Sequence, residues 1–334
     1  MTLNQVPREI RQKIFEWVIY TPVIPPVSPS SSQEGRQRLS KNAFTGSGVW
    51  QLPPQRPAIP LLLVNKQFYS EVQHVLQRAP TNYHVDIMFV KDSGLWTTWS
   101  LPVLPRAQYI DSVHATVRLF DPTDDLSASF QHSLSFQTGC GGPETGIWSF
   151  YSLITTLLTN GPGYLGFTGR DLTYSCKARY AIKSIVVDFV APTDGAPHRS
   201  VVTREKEFGV KTRELPDKFL HDSSIPPERR LAQYVAKNLD RVRGLDYYTM
   251  NYGTVLYEGI AEDIVFLVNG KEYRRIDMEE SYQELEIKFW GTTPEDILLR
   301  KKRYQEWRCW LDERRRRMKE GLVLNDENPV PYII

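Results

Sequence analysis

Ile182-Lys183-Ser184-Ile185-Val186-Val187-Asp188-Phe189-Val190 is a short, almost unbroken apolar run. A strand buried on both faces has this signature, because it has no wet side to alternate toward. The chain around it is built of similar pieces. Upstream, Val113, Ala115, Val117 and Leu119 alternate with His114, Thr116 and Arg118 within Tyr109–Phe120, and Tyr83, Val85, Ile87 and Phe89 alternate with His84, Asp86 and Met88. Both are strand patterns. Downstream, Ile264–Val268 and Tyr273–Ile276 flank Asn269-Gly270, a strong tight-hairpin signal. Leu285, Ile287 and Phe289 alternate in a further strand.

Helices fall between these runs. Ile147–Leu158 is closed by Asn160-Gly161-Pro162-Gly163, and Pro227–Arg243 turns Leu231, Tyr234, Val235, Leu239 and Val242 inward before Gly244 stops it. A long helix runs from Pro294 to about Lys319. The resulting order is strand, strand, helix, strand, helix, hairpin, strand, helix. It predicts an α/β or α+β body: a mixed sheet covered by helices. The alternation resembles an irregular leucine-rich-repeat array, although no internal repeat has a fixed period. Asp121–Gly146 and Asp194–Asp222 are polar and read as loops.

Composition narrows the class. With 334 residues and 41% hydrophobic content, the chain can bury a substantial core and is not a disordered sequence. Its 41 basic and 39 acidic residues nearly cancel, so only local patches could attract nucleic acid or membrane. Cys140, Cys176 and Cys309 are too scattered for a disulfide framework or a structural zinc site, which points to a reducing compartment. Charges at Arg8, Glu9, Arg11, Lys13 and Glu16 interrupt any signal-peptide core, and no stretch approaches a membrane span. A cytoplasmic or nuclear location is expected.

Ahead of the body lie two apolar segments. Pro7 suits the first position of a helix. Ile10, Ile14 and Val18 then repeat every four residues, and Phe15 and Ile19 widen the stripe. After Pro60 a second helix places Leu61, Val64, Phe68, Val72, Val75 and Leu76 at spacings of three and four. Between them, 22–60 is rich in Pro and Ser and reads as a flexible connection.

Val6-Pro7-Arg8-Glu9-Ile10 with Ile14-Phe15 is similar to the opening of an F-box. Leu61-Leu62-Leu63-Val64-Asn65-Lys66-Gln67-Phe68 resembles the second F-box helix, and Asn82-Tyr83-His84-Val85 stands where F-box-like proteins of filamentous fungi lead into a strand. The resemblance covers roughly residues 4–90. Val6 replaces the usual Leu, and the spacing between the two segments exceeds that of a standard F-box. The resemblance implies docking on a Skp-type adaptor of a cullin–RING ubiquitin ligase, with the C-terminal body capturing a protein target. By position, Val6, Pro7, Ile10 and Ile14 would belong to the docking helix, and Leu62, Leu63, Val64 and Phe68 would form or support the rest of that surface. The competing reading packs both helices onto the core of the body.

The domain plan is then an F-box-like helical region over 1–80 with an insertion at 22–60, a body over 81–292, a basic helix over 293–320, and a tail over 321–334. The basic helix starts well, with Thr293 as cap and Pro294, Glu295 and Asp296 in its first turn. It carries two clusters, Arg300-Lys301-Lys302-Arg303 and Arg314-Arg315-Arg316-Arg317, ten residues apart, a spacing that also resembles a bipartite nuclear import signal. One reading is a phosphate-binding surface for nucleic acid. The other is a solvated face partly neutralised by Glu306, Asp312 and Glu313, with Ile297, Tyr304, Trp307 and Leu311 turned inward.

Catalytic patterns are weak. His74, His84, His114, His132, His198 and His221 match no metal-hydrolase or deaminase spacing, and no nucleophile elbow, Walker loop or dinucleotide fingerprint occurs. His84 and Asp86 share a strand face, where a hydrogen-bonded pair is expected. Cys140 in Gly139-Cys140-Gly141-Gly142 has no positioned His beside it. A non-enzymatic protein without cofactor or metal is expected.

Overall fold

Ile182–Val190 lies near the centre of one eight-stranded sheet. The computed structural model describes residues 3–39, 48–54, 56–78, 80–105, 107–131, 133–134, 145–166, 177–193, 224–287 and 293–330. Its strands are β1 (Gln37–Arg38), β2 (Val49–Gln51), β3 (Asn82–Val90), β4 (Gly94–Ser100), β5 (Tyr109–Phe120), β6 (Ala181–Val190), β7 (Ile260–Val268) and β8 (Lys271–Asp277). The helices are α1 (Arg8–Tyr20), α2 (Ala58–Leu62), α3 (Lys66–Arg78), α4 (Thr145–Asn160), α5 (Pro227–Arg243), α6 (Met250–Gly259), α7 (Met278–Gln283) and α8 (Pro294–Glu320).

The strand order is β1-β2-β4-β3-β5-β6-β7-β8. β3, β5, β6 and β7 run parallel, and antiparallel pairs close both ends. The fold therefore has a mixed sheet with helices, as the order of elements predicted. It is a single sheet with antiparallel edges, not a leucine-rich-repeat array.

The two faces of the sheet differ. Tyr83, Val85, Ile87 and Phe89 of β3, Val113 and Val117 of β5, Ile185 and Phe189 of β6, and Ile264 and Phe266 of β7 enter one large core with α4, α5, α6 and α8. The opposite face presents half-buried His84, Asp86, His114, Thr116, Ser184 and Asp188. The alternation in β3 and β5 records this difference: odd positions meet helices and even positions do not.

Part of the second face is covered by the segment read as a flexible connection. Val23 donates its amide to Ser100 Oγ at 2.8 Å, and Arg118 donates to the Pro26 carbonyl at 2.8 Å. Arg36 donates to the carbonyls of Trp50 and Thr97, both at 3.1 Å. The segment then contributes β1 and β2 to the sheet edge, with Val49 fully buried. Proline-rich composition argued for flexibility. The decisive interactions are side chain-to-backbone bonds between residues up to 92 positions apart, which composition does not encode.

Other local expectations also changed. β4 and α6 were not anticipated. The proposed strand over Leu285–Phe289 is not a strand at Leu285 to Ile287, where the chain leaves α7 irregularly, and Phe289 is outside the described residues. The expected helix from Leu61 breaks after Leu62, because Asn65 Oδ1 accepts the Phe68 amide at 2.8 Å and caps a new helix. At the Asn269-Gly270 turn both residues adopt positive φ, 51° and 75°, as a tight hairpin requires.

Candidate partner-docking surface

α1 and α3 form a small core of their own with α2. Phe15, Ile19, Ala58, Phe68, Val72 and Val75 are its buried members. The Phe15 and Phe68 rings meet edge-on with centroids 5.1 Å apart. Arg11 also points inward, donating from Nε to Glu71 Oε2 at 2.9 Å and from a second nitrogen to Oε1. Gln67 donates to Glu71 Oε1 at 3.1 Å. The Arg11 guanidinium, helped by Gln67, holds the Glu71 carboxyl below its ordinary value despite burial. The Tyr20 hydroxyl donates to the Pro80 carbonyl at 3.1 Å and ties this module to the start of β3.

At 100° per residue, Arg11, Phe15 and Ile19 share one side of α1, while Ile10, Ile14, Trp17 and Val18 occupy the adjoining side. The apolar arc thus spans about 200°, roughly twice what the inward contact consumes. The outer half is wet: Ile10 is 47% and Trp17 is 80% exposed, and Ile14 is half-buried. From the second segment, Leu63 is 79% exposed, with Ile59, Val64 and Tyr69 also exposed. Pro7 is exposed, and Val6 and Leu62 are half-buried. Phe68 is not on the surface: it fills the core of the module. Trp17, Ile59 and Tyr69 were missed as surface candidates, although Trp17 continues the period of Ile10 and Ile14. The inward pair Arg11–Glu71 was also missed. Its signal was a charge at each of two positions flanked by core residues at helical spacing.

The second basic cluster is not a basic surface. Arg314 and Arg315 are buried. Arg314 donates to the carbonyls of Glu258 at 2.7 Å and Ala178 at 2.8 Å. Arg315 donates to those of Tyr257 at 3.1 Å and Ala261 at 3.0 Å, and to the Glu279 carboxylate at 2.8 Å. The carbonyls of Tyr257 and Glu258 lie in the last turn of α6, which lacks intrahelical donors and carries the negative end of the helix dipole, while Ala178 precedes β6 and Ala261 belongs to β7. Beneath them Glu258 is fully buried, accepting from Trp307 Nε1 at 3.0 Å and Asn328 Nδ2 at 2.9 Å, and burial pushes its carboxyl up. Arg316 and Arg317 both pair with Glu313, whose carboxyl they hold at about 2. Lys301 and Lys302 are exposed, and Arg300 and Arg303 are half-buried. Trp307 and Leu311 face the core, with Tyr304 packed against it.

His84 does not bond Asp86. Asp86 accepts two bonds from the Arg118 guanidinium, each at 2.7 Å, and His84 stacks on His114 with centroids 5.7 Å apart. Burial, then the charge of His114, pushes the His84 imidazole down. Among the described residues no three His, Cys, Asp or Glu are placed to hold a metal ion. Cys140, Cys176, His132, His198 and His221 lie outside those residues. No described helix is long and apolar enough to cross a membrane.

Against known proteins, the chain matches no protein-family model, no curated protein and no solved structure.

Proposed function

We propose that the N-terminal helical module is a docking face for a partner protein and that the chain is a non-enzymatic adaptor. In this reading, which follows the F-box resemblance, α1 and α2 engage a Skp-type adaptor and the sheet-and-helix body holds a protein target. One observation carries it. The module has already filled its own core with Phe15, Ile19, Phe68 and Val72, yet keeps Ile10, Trp17 and Leu63 in water. A helix needing only to pack on its neighbours has no use for a second apolar side. A helix that must enter a partner's groove does.

The nucleic-acid reading loses support. Of its two clusters, one has two arginines committed to buried carbonyls and two to Glu313.

The experiment is a pull-down of a purified Skp-type adaptor by the wild-type chain and by an Ile10→Asp, Trp17→Asp double variant. Both side chains are exposed, so the variant should melt with the wild type while losing at least tenfold in capture. Equal capture by both proteins, or capture by neither, overturns the reading.

A further inference from the structure

Val187 lies on β6, with a strand on either side, and packs on the face of the sheet that the helices cover. Its register partners there are buried, Ala115 of β5 at 6% and Phe266 of β7 at 1% exposure, yet Val187 stays half-buried. Ile154 of α4, packed against the same core, is half-buried too. The cause is a gap. The sheet, α4 and α5 fail to close, leaving a cavity of about 80 Å³ whose lining includes Val187, Ile154, Ala115, Phe266, Phe150 and Leu239. Ala115 supplies one methyl where its cross-strand partners Val85 and Val187 supply branched side chains. Close-packed interiors leave few voids larger than a water molecule, so this one stands out.

The space is several times the roughly 10–15 Å³ that one water needs, but its surface is almost wholly apolar. The hydroxyl of Tyr151, which also lines it, already donates to the Tyr252 carbonyl at 2.6 Å. A buried water needs about 2–4 polar partners, and apolar cavities stay dry. A hydroxyl, amide or charge on a ligand would lose its hydration here and find no partner in exchange. An apolar molecule loses nothing and gains contact with side chains that now face empty space.

We infer that this cavity is a binding site for a small, wholly apolar molecule, a hydrocarbon of a few carbons with no hydrogen-bonding group. The volume is roughly half that of a ~150 Å³ dry cavity that takes benzene or xenon, which sets the size of the occupant. The site is independent of the docking face: it lies between the sheet and its helices, and the exposed residues of α1 do not line it.

The test titrates the full-length chain, ¹³C-labelled at its methyl groups, with xenon, with propane, and with ethanol, which is close to propane in shape but carries a hydroxyl. Xenon and propane should shift the methyl signals of Val187 and Ile154 saturably. The methyls of Val72, buried in the separate core of α1 and α3, should stay in place. Ethanol should bind about tenfold or more weaker than propane, because its hydroxyl finds no partner. Ala115→Leu, which fills the void, should weaken both apolar probes about tenfold or more. Val187 and Ile154 signals unmoved by either gas overturn the inference. So do equal shifts at Val72, which mean non-specific uptake, ethanol binding as tight as that of propane, or undiminished binding by Ala115→Leu. The three wild-type titrations decide by themselves if that variant folds poorly.

Discussion

Phe15 and Phe68, 53 positions apart in sequence, meet edge-on at 5.1 Å, and this contact sets which way α1 faces. With Phe15 turned toward α3, Ile10 and Trp17 lie about 140° and 160° around the helix from it and face water, with Ile14 and Val18 at the boundary. The docking face is thus a by-product of how the module packs.

Phe68→Ala should therefore cost about 3–5 kcal/mol, the usual loss for emptying a packed aromatic site. Leu63→Ala, five residues away but mostly in water, should change stability by less than about 0.5 kcal/mol. Urea denaturation of the two variants checks the contrast. A large loss for Leu63→Ala would place that side chain in a core.

The Arg11–Glu71 pair predicts a pH dependence. The folded-state carboxyl of Glu71 lies below its ordinary value, so its contribution is present above the unfolded value near 4.5 and disappears as pH falls through the folded one. Stability of the wild type should drop between pH 5 and pH 3, and Glu71→Gln should flatten that decline while lowering stability at pH 7. Denaturation midpoints across that range give the comparison. An identical slope in both proteins would remove the pair as its source.

Four consecutive arginines should behave as two different kinds of residue. Arg314→Ala strips donors from the buried carbonyls of Glu258 and Ala178, a loss of about 2–6 kcal/mol at about 1–3 kcal/mol for each acceptor left unsatisfied. Arg316→Ala removes only exposed pairs with Glu313 and Glu320, and should leave the melting temperature unchanged. Calorimetry of each single variant resolves this. Equal effects would mean the cluster acts as a uniform charged surface.

At the β7–β8 turn, Gly270 has φ of 75°, and a Cβ placed there would meet no atom within 4 Å. Gly270→Ala should then cost about 1–2 kcal/mol from backbone strain alone. Its amide bond to Asp188 at 3.1 Å should survive, visible as retained hydrogen-exchange protection. A neutral substitution would contradict the left-handed turn.

Much of the body was legible because its signals are local. Period-two alternation marked β3 and β5, Asn269-Gly270 marked the hairpin, and the Thr293–Asp296 capping box marked the start of α8. β4 escaped because Gly94–Ser100 is buried at nearly every position and shows no alternation. In α1 the amphipathic stripe was visible, but a 200° arc does not say which half faces inward. In α8 the charge was visible, but not its burial.

The sequence by itself determined where the central strands β3, β5, β6 and β7 and the helices α4, α5 and α8 form, and that α1 has more apolar surface than one contact can use. The tertiary structure alone decided two things: that the described residues of 22–39 strap the sheet while 37–38 and 49–51 extend it, and that Arg314 and Arg315 are internal donors while Lys301 and Lys302 stay wet. The reason is the same in each case. Propensity and periodicity act over a few residues. These outcomes depend on hydrogen bonds and packing between segments tens to more than a hundred residues apart, such as Arg314 with Ala178 across 136 positions.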